Sequence, residues 1–116
     1  MTEGKAYDLK IRTFDFAQEI LNIADELPQN SRCDVLRRQL IKSGTSIGAN
    51  IEEADGAITK KDFANKMVIA RKEARETYYW LRLLSERYIK KDKVVSSLVE
   101  CKELISILSA IINKVR

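Results

Sequence analysis

Histidine is absent from all 116 residues, and only two cysteines, Cys33 and Cys101, are present, far apart and without C-x-x-C spacing. Without histidine the chain lacks the side chain that changes charge near neutral pH and is the commonest transition-metal ligand, so Ser-His-Asp and Cys-His catalysis are excluded. Two separated cysteines make neither a redox motif nor a zinc cluster, and the expectation is two buried free thiols in a reducing compartment. No run approaches the ~18 uninterrupted apolar residues a membrane span requires. Met1-Thr2-Glu3-Gly4-Lys5-Ala6 has no apolar core of the kind an export signal carries, so a soluble cytoplasmic protein with no membrane partner is expected. One proline and four glycines leave little punctuation, which favours a few long elements over many short strands.

What is there is charge and helical periodicity. The net charge is +4, with 21 Lys and Arg against 17 Asp and Glu. It is uneven: residues 1–59 carry 7 − 10 = −3, residues 60–93 carry 11 − 5 = +6, and residues 94–116 carry 3 − 2 = +1. A basic segment of this kind permits a polyanionic partner. The length fits one domain spanning 1–116.

Asp8 is placed to cap a first helix running to about Leu27, with Phe16, Ile20, Ile23 and Leu27 on one stripe and Ala17, Leu21 and Ala24 beside it. Pro28 ends it, and Ser31 with Asp34 forms a weak capping box for a second helix. That helix carries Leu36, Leu40, Ser43, Ile47, Asn50 and Ala54 in alternating four- and three-residue steps, a heptad-like seam with two polar members. Ser43, Gly44, Ile47, Gly48 and Asn50 read as a helix-packing surface. Two glycines inside a helix cost about 1 kcal/mol each against alanine, so a closely approaching neighbour must compensate. Asn50 is placed to fix helix register.

Thr59 starts a third helix in which Phe63, Met67, Ala70, Ala74, Thr77, Leu81, Leu84 and Tyr88 follow an unbroken 4-3-4-3 pattern. At ~100° per residue, Val68, Ile69, Tyr79, Trp80 and Leu83 fall on another side, which predicts that a second copy of the chain covers them. Lys90-Lys91-Asp92 caps a fourth helix with Val94, Leu98, Cys101, Ile105, Leu108, Ile112 and Val115 inside. Short connections make successive helices antiparallel, so the expected fold is all-α, an up-down-up-down four-helix bundle. Cys33 and Cys101 then lie too far apart for a disulfide.

Two constellations bear on chemistry. The carboxylates Glu52, Glu53, Glu73 and Glu76 have no Glu-x-x-His companion, so no metal, cofactor or catalytic residue is assigned, and Glu53, Glu73 and Glu76 are expected to pair with nearby Lys72, Arg71 or Arg75. Arg71, Arg75 and Arg82 project within about 40° of one another at helical spacing, flanked by Tyr78 and Tyr79 and preceded by Lys61. Arginine forks bind phosphates and tyrosine rings stack on unpaired bases, so Lys61, Arg71, Arg75, Tyr79 and Arg82 form the candidate nucleic-acid surface.

Ser43-Gly44-Thr45-Ser46-Ile47-Gly48-Ala49-Asn50-Ile51-Glu52-Glu53-Ala54, then Lys61-Asp62-Phe63, then Ala70-Arg71-Lys72-Glu73-Ala74-Arg75-Glu76-Thr77-Tyr78-Tyr79-Trp80-Leu81, resembles the four-helix-bundle family encoded in intervening sequences of bacterial 23S ribosomal RNA genes. The likeness covers nearly the whole chain. Members often carry a small residue in place of Glu52 and Gly in place of Ala54, so the added acid counts against RNA binding at that end. The resemblance implies a closed homo-oligomer, a pentameric ring, and a relationship to accessory proteins of diversity-generating retroelements, which contact reverse transcriptase and nucleic acid. It implies no enzymatic activity and no small-molecule substrate. The function expected from residues and resemblance together is a non-enzymatic oligomer that binds RNA or a nucleic-acid-handling protein through the third helix. The alternative is a protein-binding adaptor whose basic stripe is used in subunit contacts.

Overall fold

The computed structural model describes residues 3–115, with side chains from residue 9 onward. Four helices follow one another: α1 (Glu3–Asp25), α2 (Ser31–Asp55), α3 (Lys60–Arg87) and α4 (Lys91–Val115). They pack as an antiparallel four-helix bundle in which each helix touches its neighbours in chain order and α4 returns to α1, leaving α1 opposite α3 on one diagonal. The α1–α4 contact is the least extensive of the four.

The core stripes follow the periodicity of the sequence. Phe16, Ile20, Ile23 and Leu27 are buried from α1, and Leu40, Ser43, Ile47 and Ala54 from α2. Met67, Ala70, Ala74, Thr77, Leu81 and Leu84 are buried from α3. In α4 the buried set is Val94, Ser97, Cys101, Leu104, Leu108 and Ile112, while Leu98 and Ile105 are half-buried and pack against the core. Leu21, expected beside the core, stands on the outer face of α1.

Local signals at the helix ends differ from expectation in several places. α1 begins at Glu3, five residues before the expected cap Asp8, and ends at Asp25, where Glu26 and Leu27 close the turn with bonds to the carbonyls of Ile23 and Ala24. The cap of α2 is Asn30, whose side-chain oxygen accepts from Cys33 N at 2.8 Å, rather than Ser31. Asn30 serves because its extended backbone brings that oxygen over the orphan amides of the first turn. Asp34, freed from a capping box, pairs with Arg37 at 2.6 Å. Thr59 caps α3, its hydroxyl accepting from Asp62 N at 3.0 Å. Lys91 and Asp92 lie inside the first turn of α4 rather than before it.

α1 has no basic residue in its last turn, and Arg37 of α2 supplies the missing donor. Its Nε donates to the Ala24 carbonyl at 3.1 Å and its Nη2 to the Leu27 carbonyl at 2.9 Å, so the carboxy end of α1 is tied down from the next helix. Across the slighter seam, Arg12 makes a fork with Glu100 at 2.9 and 2.6 Å and reaches Glu103 at 2.8 Å, joining α1 to α4. These carboxylates hold the guanidinium well above its ordinary pKa, Glu100 most strongly. Both cysteines are free and buried. Cys101 donates its thiol hydrogen to the Ala74 carbonyl at 3.1 Å, and burial, with a smaller contribution from Glu100, pushes its pKa up to about 12.

Candidate nucleic-acid interface

The small-residue stretch of α2 faces α1 and α3 on its two flanks. On the α1 side, a Cβ placed at Gly44 would lie 2.7 Å from Ile20 Cγ2, and one at Gly48 would lie 3.2 Å from Thr13 Oγ1. Glycine is what lets the two backbones approach so closely there. On the α3 side, the buried hydroxyls of Thr77 and Ser43 are hydrogen-bonded at 2.9 Å. Asn50 does not reach another helix: it is half-buried, and its amide donates to the Ser46 carbonyl of its own helix at 2.8 Å. The polar link between α2 and α3 is therefore the hydroxyl pair, and the register role expected of Asn50 is corrected accordingly.

This close fit of α2 fixes which side of α3 faces outward. Lys61, Arg75, Tyr79 and Arg82 are all exposed on it. Arg71, expected beside them, turns instead toward α4, where it is half-buried and its Nη1 donates to Ser109 Oγ at 3.3 Å. Tyr78 packs against the core, with Lys102 Nζ 5.5 Å from its ring centroid. Tyr79 and Trp80 meet edge to face, ring centroids 5.1 Å apart at 75°, which holds the exposed phenol ring steady. Among the described residues none of Lys61, Arg75 and Arg82 is paired with an acid.

The apolar residues expected on the outer side divide. Val68 and Trp80 are half-buried and pack against the core of their own chain, Leu83 is half-buried, and Ile69 and Tyr79 are exposed. Periodicity placed them on one side because it ignored the lateral reach of a large ring such as Trp80 toward the neighbouring helix. Two depressions flank this face. One of about 330 Å³ lies toward α2 and is walled by Gln39, Arg75, Glu76, Tyr79 and Trp80. The other, of about 360 Å³, runs between α3 and α4 with Tyr79, Leu83, Val95 and Leu98 as its apolar lining. The contribution of Val95 and Leu98 was missed in the sequence. An apolar pair at Val95 and Val99, outside the inner stripe of the fourth helix, was the available signal.

The acids behave differently from expectation too. Glu53, Glu73 and Glu76 form no ion pair among the described residues, so the expected pairing with Arg71, Lys72 or Arg75 is corrected. One carboxylate oxygen of Glu73 is buried without a hydrogen-bond partner. Burial, followed by the proximity of Glu76, raises its pKa, against the opposing pull of Lys72 and Lys42. The described residues contain no group of three His, Cys, Asp or Glu side chains arranged to hold a metal, and no helix among them is long and apolar enough to cross a membrane.

The chain is thus an all-α four-helix bundle with a tightly apposed small-residue helix and an outward basic and aromatic stripe on α3. The model of the 23S rRNA-intervening sequence protein family matches residues 5–110, and the chain belongs to that family. Among solved structures, a protein of unknown function from the S23 ribosomal protein family of Bacteroides thetaiotaomicron is 41% identical, with a TM-score of 0.83 over 90% of this chain and 97% of that one. No curated protein matches the sequence significantly.

Proposed function

We propose that this chain is a non-catalytic, self-assembling bundle that binds RNA through the outward face of α3. The observation that supports the reading is the set Lys61, Arg75, Tyr79 and Arg82: exposed on one helix, its cations without an acid partner among the described residues, with an aromatic ring between Arg75 and Arg82. Cations left unpaired by the fold are available to displace counterions from a phosphate chain, and a ring fixed on edge offers its face to an unpaired base. The family's link to an intervening sequence of 23S rRNA agrees with a ribonucleic partner.

The test is fluorescence anisotropy of a labelled single-stranded RNA across a salt series. Three cation–phosphate contacts give a slope of about −2 in log affinity against log salt for single strands. Arg75→Ala/Arg82→Ala flattens that slope and weakens binding about tenfold or more. Arg71→Ala, whose side chain is already engaged by Ser109, has the smaller effect. No binding at ~50 mM salt refutes the RNA reading and leaves an adaptor that works by protein contacts alone.

A further inference from the structure

One acid stands at the edge of the basic stripe of α3. Glu76, next to Arg75 in the chain, is exposed and forms no ion pair among the described residues. On a surface that only tracked phosphates, a free carboxylate at this place would repel the ligand. Its surroundings give it another use. Glu76 borders the depression of about 330 Å³ between α2 and α3, whose other walls are Gln39, Arg75, Tyr79 and Trp80. That size is at the low end of small-ligand sites, ~300–1,000 Å³, and suits one planar ring system rather than a stacked run.

The walls hold more hydrogen-bonding capacity than the fold spends. The indole N–H of Trp80 is buried without a hydrogen-bond partner, and Arg75, like Glu76, is unpaired among the described residues. Tyr79 is 56% exposed, so its ring is available for stacking. The nearest further acid is Glu73, which has Lys72 of its own helix and Lys42 of α2 within electrostatic reach and is offset by them.

A carboxylate only accepts hydrogen bonds. Among the four RNA bases guanine alone offers it two adjacent donors on the Watson–Crick edge, N1–H and the N2 amino group. Adenine and cytosine set a ring-nitrogen acceptor beside their amino group, and uracil flanks its N3–H with two carbonyls. We propose that this depression is a pocket for an unpaired guanine of single-stranded RNA. The Glu76 carboxylate takes both donors, Gln39 donates its amide to O6 from α2, Tyr79 stacks on the ring, and Arg75 holds the adjoining phosphate. A duplex hides the edge that Glu76 reads, so paired RNA is excluded from the pocket. The inference rests on the RNA reading above and adds the base that the site selects.

The experiment is fluorescence anisotropy at ~50 mM salt with labelled oligouridine strands that carry one central G, A, C or inosine, and with the all-uridine strand as reference. The strand with G should bind about tenfold more tightly than those with A, C or U, the discrimination ordinary for one bidentate contact. Inosine lacks the N2 amino group and should lose most of that preference. Glu76→Ala should abolish it while leaving the affinity for the all-uridine strand equal or higher, since a charge that repels phosphate is removed. Glu76 is exposed, and far-UV circular dichroism confirms that the variant is folded. Absence of binding to every strand overturns the RNA reading and this pocket together. Equal affinity for all strands, preference for another base, or a guanine preference that survives Glu76→Ala overturns the pocket alone.

Discussion

Replacing Gly44 by alanine tests the close approach of α1 and α2 most directly. The new Cβ would lie 2.7 Å from Cγ2, 2.8 Å from Cγ1 and 3.1 Å from Cβ of Ile20. Carbon atoms in contact prefer about 3.5–4.0 Å, so roughly 1 Å of overlap must be relieved. Ile20 is fully buried and branched at Cβ, with little rotamer freedom, and relief therefore requires α1 to move away from α2. Overpacking of this sort costs about 1–3 kcal/mol, against a helix-propensity gain of about 1 kcal/mol for alanine over glycine. The net expectation is a loss of up to about 2 kcal/mol, or a melting midpoint lower by up to about 8 °C for a chain of this size. Gly48→Ala supplies the contrast. Its nearest atoms, at 3.2 to 3.4 Å on Thr13, need to give only slightly, so propensity nearly offsets strain and the change stays within about 0.5 kcal/mol. Denaturant unfolding followed by circular dichroism, at one fixed protein concentration, measures both. In an Ile20→Ala background the obstruction is gone, and Gly44→Ala should there stabilise, which gives a coupling on the order of 2 kcal/mol in the double-mutant cycle. If Gly44→Ala raises the midpoint in the wild-type background, the packing argument for this glycine is wrong.

Two further perturbations reach separate parts of the bundle. Arg37→Ala leaves the carbonyls of Ala24 and Leu27 without their guanidinium donors and should cost about 1–3 kcal/mol in the same unfolding assay, with amide exchange fastest in the α1–α2 turn; unchanged protection there would show that solvent serves those carbonyls as well. Glu73→Gln addresses pH. A carboxyl whose folded pKa is raised above the ordinary 4.5 binds its proton more tightly in the folded chain, so its contribution is complete below 4.5 and is lost as pH rises through the folded value. The variant should therefore be more stable than wild type at neutral pH and should lose that advantage toward pH 4.5 and below, and a difference independent of pH would remove burial of the charge as its cause.

The helices and their inner stripes were legible because each core position repeats at three- and four-residue intervals, and α3 from Met67 to Leu84 is the clearest case. The features that escaped depend on distances between elements remote in the chain. Arg37 serves the end of a helix other than its own, and Trp80 folds back against its own core. Arg71 shares an angular sector with Arg75 and Arg82, yet its position beside α4 gives it Ser109 as a partner, and a helical wheel holds no information about that neighbour. Asn50 shows the reverse case. Its place in the heptad predicted a link between helices, but a carbonyl one turn back in its own helix satisfies it first.

Cys33 and Cys101 give the molecule two built-in reporters of its breathing. Both sulfurs lie beneath the surface, one in the opening turn of α2 and the other midway along α4. A thiol reagent reaches the first when that helix end frays and the second only when α3 and α4 part. The ratio of their modification rates therefore separates local loosening from opening of the whole bundle, without any added label.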